Sequence, residues 1–256
     1  GVNFVILFKE KAQQRIALVS NRWCGCLGIL FICMRRSFTI HHLPFILLLF
    51  CSVVVFGQDH APVMPAPPIP VEATFGTNRL QFQAVINRPI SANGKLSFFN
   101  LSTGAVDYNN TPSETEMVVV NNLTYTLFGN VKLTGGAEWH FKLGLVPQVG
   151  LQYFKANRTW LVMLNPSINM QPVKNIETIG ILEFKPAISA ATQLYTRAQI
   201  LHVQGLQDGL HARSALMLRA GITKGKFTAG LGANFDYYGP MKFEKDNVGL
   251  FTRLTL

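Results

Sequence analysis

From Val71 to Leu256 the chain alternates apolar and polar residues with a period of two, in segments of roughly ten to fourteen residues. Over 79–87, Leu80, Phe82, Ala84 and Ile86 share one side, and Arg79, Gln81, Gln83 and Asn87 share the other. Over 130–141, Val131, Leu133, Ala137, Trp139 and Phe141 oppose Lys132, Thr134, Glu138 and His140. Near the end, Phe227, Ala229, Leu231, Ala233 and Phe235 oppose Thr228, Gly230, Gly232, Asn234 and Asp236, and Val248, Leu250, Leu254 and Leu256 oppose Gly249, Arg253 and Thr255. Helical spacing is nowhere sustained. The pattern predicts strands over 73–88, 94–106, 115–127, 130–140, 145–156, 158–168, 175–185, 190–203, 211–223, 226–237 and 246–256. Without helices to serve as crossovers, the sheet must be antiparallel and joined by hairpins.

Short connections fall at 89–93, 128–130, 156–157, 186–189 and 224–226, and longer ones at 107–114, 141–145, 169–174, 204–210 and 238–245. Their strict alternation predicts one closed up-and-down barrel, with short turns at one end and longer loops at the other. Eleven strands would leave the chain ends at opposite rims. A further short strand at Val71–Phe75, before a turn at Gly76-Thr77-Asn78, makes twelve; ten is the fallback if one strand has been split in two.

The strands are long enough to cross a bilayer, which takes about 9–11 tilted residues. If the apolar side faces lipid, the interior is lined by Arg79, Gln81, Gln83, Glu116, Lys132, Glu138, His140, Gln152, Glu177, Glu183, Gln193, Arg197, Gln199, Arg213, Arg219, Asp236 and Arg253. Tyr108, Tyr125, Trp139, Tyr153, Trp160, Tyr195, Tyr237 and Tyr238 then become candidates for aromatic girdles where headgroups meet water. Both signs of charge are present inside, so the lumen holds either salt-bridged layers or a narrow water-filled path. The slight basic excess at Arg197, Arg213, Arg219 and Arg253 would favour anions in such a path. The opposite sidedness would describe a secreted soluble barrel with an apolar ligand inside.

Upstream, Met34-Arg35-Arg36-Ser37 precedes an apolar run from Leu43 to Phe56 and then Gly57-Gln58-Asp59. This is a signal-peptide layout over 34–57, with cleavage after Gly57. Residues 1–33 read as upstream translated sequence or an extra leader segment. Residues 58–70 form a Pro-rich arm, extended and unsuited to a sheet interior. Cys24, Cys26, Cys33 and Cys51 all precede the cut, which leaves the remainder without disulfides or thiolate metal sites. Six of the 23 Lys/Arg and one of the 13 Asp/Glu also precede it, so the net charge falls from +10 to +5. That charge is spread singly along the strands and gives no nucleic-acid footprint.

With its leader, cysteine-free body, alternating strands and aromatics near strand ends, the chain resembles Gram-negative outer-membrane β-barrel proteins over residues 71–256. Such barrels often end in an aromatic residue, where this chain has Leu256. The resemblance implies an outer-membrane location, lipid contact, insertion by the barrel assembly machinery, and other envelope proteins as partners. The function expected is a narrow passive channel with a mild anion preference, or an envelope scaffold, without cofactor or metal. A hydrolase in the wall would need Ser and His together on the lipid side. His211 and Ser214 are three apart and by parity face opposite ways, and no G-x-S-x-G elbow is present, so no enzyme is expected.

Overall fold

The computed structural model describes residues 67–109, 111–170 and 174–256; the leader, residues 1–33 and most of the Pro-rich arm lie outside the described residues. Twelve strands follow in order: β1 (Pro70–Gly76), β2 (Arg79–Pro89), β3 (Leu96–Asp107), β4 (Glu116–Phe128), β5 (Val131–His140), β6 (Gly144–Ala156), β7 (Trp160–Asn169), β8 (Asn175–Phe184), β9 (Thr192–Gly205), β10 (His211–Lys224), β11 (Phe227–Tyr238) and β12 (Phe243–Thr255). Each pairs antiparallel with its neighbours in sequence, and β1 closes the barrel on β12, from Pro70 opposite Thr255 to Gly76 opposite Gly249. The sequence segment 73–88 therefore spans the end of β1, a turn at 77–78 and most of β2, as the twelve-strand count requires.

The sidedness is that of a barrel in lipid. Leu231 and Leu250 are 66% and 61% exposed, while Gln81 and Arg253 are 7% and 9% exposed, and Leu80, Phe82 and Leu133 also face out. A soluble barrel with an apolar interior would show the reverse, so that alternative is set aside.

Connection lengths correct the expected alternation. The β8–β9 link at Lys185–Ala191 is seven residues at the end that carries the chain termini, whereas Phe141–Leu143, at the opposite rim, is three. The bridge between Ala187 and Gln193 extends the β8–β9 hairpin beyond its named strands, which explains why this link reads as short in the sequence. Gly129 and Gly225 open two-residue hairpins with φ of 52° and 60°, values that suit glycine.

The β6–β7 seam is interrupted. Between β6 and β7 the register runs from Gly150 opposite Ser167 and resumes at Tyr153 opposite Leu164, skipping Leu151 and Gln152. Pro166, opposite Leu151, has no N–H to give. The Asn165 side chain substitutes, its Nδ2 donating to the Leu151 carbonyl at 2.7 Å.

Candidate functional site

Charged and polar side chains from several strands meet across the interior. Toward the rim that carries the termini, Glu72 of β1 is the hub of a charged layer. Its Oε1 accepts from Arg197 Nη2 at 2.7 Å and from Arg219 Nε at 2.8 Å. Arg219 also reaches Asn234 Oδ1 at 2.8 Å and Thr74 Oγ1 at 3.1 Å. Beside this hub, Glu183 Oε1 accepts from Arg253 Nη1 at 2.7 Å and from the Tyr195 hydroxyl at 2.9 Å, and Lys185 Nζ reaches Glu183 Oε2 at 2.9 Å. Carboxylates and guanidinium groups drawn from five strands thus neutralise one another, the condition under which charge can leave water.

A second layer lies near the opposite rim. Arg213 of β10 pairs with Asp236 at 2.9 Å and with Glu116 at 3.2 Å, and Arg79 sits 3.7 Å from both Glu116 and Asp236. The Tyr238 hydroxyl donates to Glu116 at 2.8 Å. β4 and β10 are diametrically opposed in the barrel order, so the Glu116–Arg213 pair crosses the lumen. Gln83 of β2 also donates to Gln199 of β9 across the interior at 2.9 Å, and Gln81 bonds Asn234.

Between these layers, on the other side of the lumen, is an apolar bar that sidedness alone did not predict. Phe99, Leu101, Val120, Met163, Ile179 and Ile181, from β3, β4, β7 and β8, pack together with little or no exposure. Burying each such side chain is worth about 1.5–3 kcal/mol.

Above the bar, at the rim away from the termini, a cavity of about 260 Å³ remains. Leu101, Val118, Ile179, Leu201 and Met217 make its apolar wall. Glu138, His140, Asn169 and Glu177 form one polar side, and Arg213 and Tyr238 the other. Asn169 Nδ2 donates to Glu138 Oε1 at 2.7 Å and to Glu177 Oε2 at 3.3 Å, and His140 Nε2 is 3.0 Å from Glu138 Oε1. Glu138 is fully buried, yet among the described residues its Oε2 has no partner, nor has Asn169 Oδ1. A second space at the mouth shares Val118, His140, Arg213 and Tyr238 with this cavity.

Arg79, Gln81, Gln83, Glu116, Glu138, His140, Glu177, Glu183, Arg197, Arg213, Arg219, Asp236 and Arg253 all join these interior contacts, and Lys132 lies inside near Ser97 Oγ and over the Phe154 ring. Tyr125, Tyr153 and Trp160 are exposed toward the terminus-bearing rim, with Tyr108, Trp139 and half-buried Tyr237 toward the other. Tyr195 and Tyr238 are corrections to the girdle. Tyr195 is 1% exposed and bonded to Glu183, and Tyr238 is bonded to Glu116 beneath the Arg213 guanidinium. Both hydroxyls need buried partners that only the lumen supplies. Glu72 and the apolar bar were missed: β1 was too short to show a side, and apolar residues were all assigned outward.

His211 and Ser214 are also a correction. A bulge between His211 and Arg213 inserts Ala212 without a partner, which reverses the parity of His211. Ser214 Oγ consequently lies 2.9 Å from His211 Nε2, and also 2.9 Å from His202 Nδ1.

No protein-family model and no curated protein matches the chain. Solved structures similar to it include the NanC porin, at 11% identity and a TM-score of 0.44, covering 73% of this chain and 99% of that one. OprD of Pseudomonas aeruginosa is 9% identical with a TM-score of 0.37, covering 75% of this chain and 64% of that one. OmpT, an outer membrane protein of Vibrio cholerae, in its trimer form, is 8% identical with a TM-score of 0.35 over 75% of this chain and 99% of that one. These are likenesses of fold, so the assignment rests on the wall itself. Twelve antiparallel strands closed on themselves, apolar outward and charged inward, make the chain a transmembrane β-barrel of the outer-membrane type.

Proposed function

We propose that this barrel sits in the outer membrane with its termini toward the periplasm, blocked at the waist, and that its outward end is a cup for a small amphipathic molecule. The observation that carries this reading is direct side-chain contact across the lumen, from Gln83 to Gln199 and from Glu116 to Arg213. Those contacts, with the apolar bar beside them, favour a closed scaffold over a free channel. The basic excess behind an anion preference is small. Glu72 supplies a sixth acid beside Glu116, Glu138, Glu177, Glu183 and Asp236, against the seven bases Arg79, Lys132, Lys185, Arg197, Arg213, Arg219 and Arg253.

The cup sets an apolar wall beside the carboxylates of Glu138 and Glu177, and Glu138 Oε2 has no partner among the described residues, which suits an apolar body carrying an N–H-donating head such as an ammonium. Single-channel recording of the purified full chain in planar bilayers tests the closed waist. Silence at all voltages is expected, and steady openings of one size would overturn it. Calorimetric titration with phenethylammonium, against neutral phenylethanol, tests the cup. The amine is expected to bind more tightly, with the preference lost in Glu138→Gln; equal affinities would refute the assignment of the head group.

A further inference from the structure

We propose that Ser214, His211 and His202 form an ester-hydrolysing site on the lipid-facing wall, separate from the lumen. Ser214 lies on the outward side of β10, between inward-facing Arg213 and Ala215, and directly opposite Tyr237 of β11. His202 pairs with it from β9. His211 joins them because the Ala212 bulge turns it outward, and the β11–β12 loop holds that bulge at two points. Gly239 N donates to the Ala212 carbonyl at 2.8 Å, and the Gly239 carbonyl lies 2.7 Å from His211 Nδ1.

The hydrogen-bond directions follow from the chemistry of the groups. The Gly239 carbonyl can only accept, so the proton of neutral His211 is on Nδ1. Its Nε2 then carries a lone pair and accepts the Ser214 hydroxyl proton across 2.9 Å. With that proton committed, Ser214 Oγ can only accept from His202, whose Nδ1–H donates across 2.9 Å. A hydroxyl aimed at an imidazole lone pair, with the imidazole held in the right tautomer by a third group, is the arrangement that activates a serine nucleophile. His202 adds a donor beside the attacking oxygen, placed to meet the negative charge that develops on a carbonyl oxygen.

The surroundings select the substrate class. Toward the bilayer centre, outward-facing Leu216, Leu218 and Ile200 continue the same wall, and Tyr237 sits at the level of the serine. A carbonyl at the headgroup boundary, with its acyl chain lying along those apolar side chains, would reach Ser214. The substrate is therefore an acyl ester of a membrane lipid.

In the first step Ser214 Oγ bonds to the ester carbon as its proton passes to His211 Nε2. The carbon–oxygen bond to the alcohol then breaks, and the alcohol leaves with that proton. Water next attacks the acyl-serine, giving a proton to His211, and the Oγ–carbon bond breaks as the proton returns to Oγ. Ester and water become acid and alcohol, with no oxidant or reductant involved.

The test uses the full chain in detergent micelles, an alkyl fluorophosphonate probe and p-nitrophenyl octanoate. Peptide mass spectrometry is expected to find the probe on Ser214. Turnover is expected to vanish in Ser214→Ala, to fall by about 10²–10⁴ in His211→Gln, and to fall by about 10²–10³ in kcat with little change in KM in His202→Phe. Heat-modifiable migration shows whether each variant is folded. A folded wild-type chain whose Ser214 takes no probe, or whose hydrolysis persists in folded Ser214→Ala, would overturn the proposal, whatever the lumen conducts.

Discussion

Removing the Glu72 carboxylate distinguishes a dry charged layer from a watery pore. In Glu72→Ala, the guanidinium groups of Arg197 and Arg219 lose the oxygen that both now share, and their side chains are only 4% and 2% exposed. Taking one member from a buried ion pair costs about 3–5 kcal/mol, because the partner stays desolvated and unpaired. The same pairing in an open, hydrated lumen would be worth only about 0–1 kcal/mol. With a urea slope of about 2–3 kcal/mol/M, the dry layer predicts a fall of about 1–2 M in the unfolding midpoint. The midpoint is read from heat-modifiable migration in detergent after incubation in urea. Glu72→Gln keeps an acceptor but no charge and should fall between the two. Leu231→Ala, on the outer wall, is the comparison. If Glu72→Ala shifts the midpoint no further than that control, water reaches the layer, and the argument for a blocked waist collapses.

Phe99→Ala removes the largest side chain of the apolar bar; it should cost about 3–5 kcal/mol and produce brief openings in bilayer recordings that the wild type lacks. Asn165→Leu leaves the Leu151 carbonyl without its substitute donor and should lower stability by about 1–3 kcal/mol, with faster hydrogen exchange confined to the β6–β7 seam. In the β3–β4 loop, the hydrogen bond and charge of Lys245 hold the Glu114 carboxyl below its ordinary range. Stability from that contact is present above the unfolded pKa and is lost as pH falls through the lower folded one. Protection of loop amides over 111–115, taken relative to their intrinsic exchange rates at each pH, should therefore fall at acid pH in the wild type and show no such fall in Glu114→Gln.

How far the fold was legible depended on whether each strand separates its two faces. β2, β5, β11 and β12 do so, because lipid touches one side and polar groups the other; the expected bounds of β5 and β11 fall within a residue of the observed ones, whereas the segment 73–88 joins β2 to the end of β1, and β12 begins three residues before 246. β3 and β4 do not. Phe98 and Phe99 are adjacent, as are Val118, Val119 and Val120, because the inward residues pack across the waist while the outward ones face lipid. A strand covered by apolar groups on both sides reads as a run, so the bounds 94–106 and 115–127 fall within two residues of β3 and β4 while the inward side of each stays hidden. Polar Asn100 and Asn121 even appear on the outer side there, satisfied by each other at 2.9 Å.

Tyr195 was within reach of the sequence: it shares parity with Arg197 and Gln199, both read as inward, and only its aromatic ring suggested a girdle. The serine and histidines were not. Pairing His211 with Ser214 requires the one unpartnered residue at Ala212, and that bulge is fixed by a loop 27 residues further on, where the backbone of Gly239 takes both its bonds. Parity read along β10 alone assumes an unbroken ladder. Wherever a distant loop pins an extra residue into the strand, every assignment beyond it reverses, and here the reversal brings a base to a nucleophile.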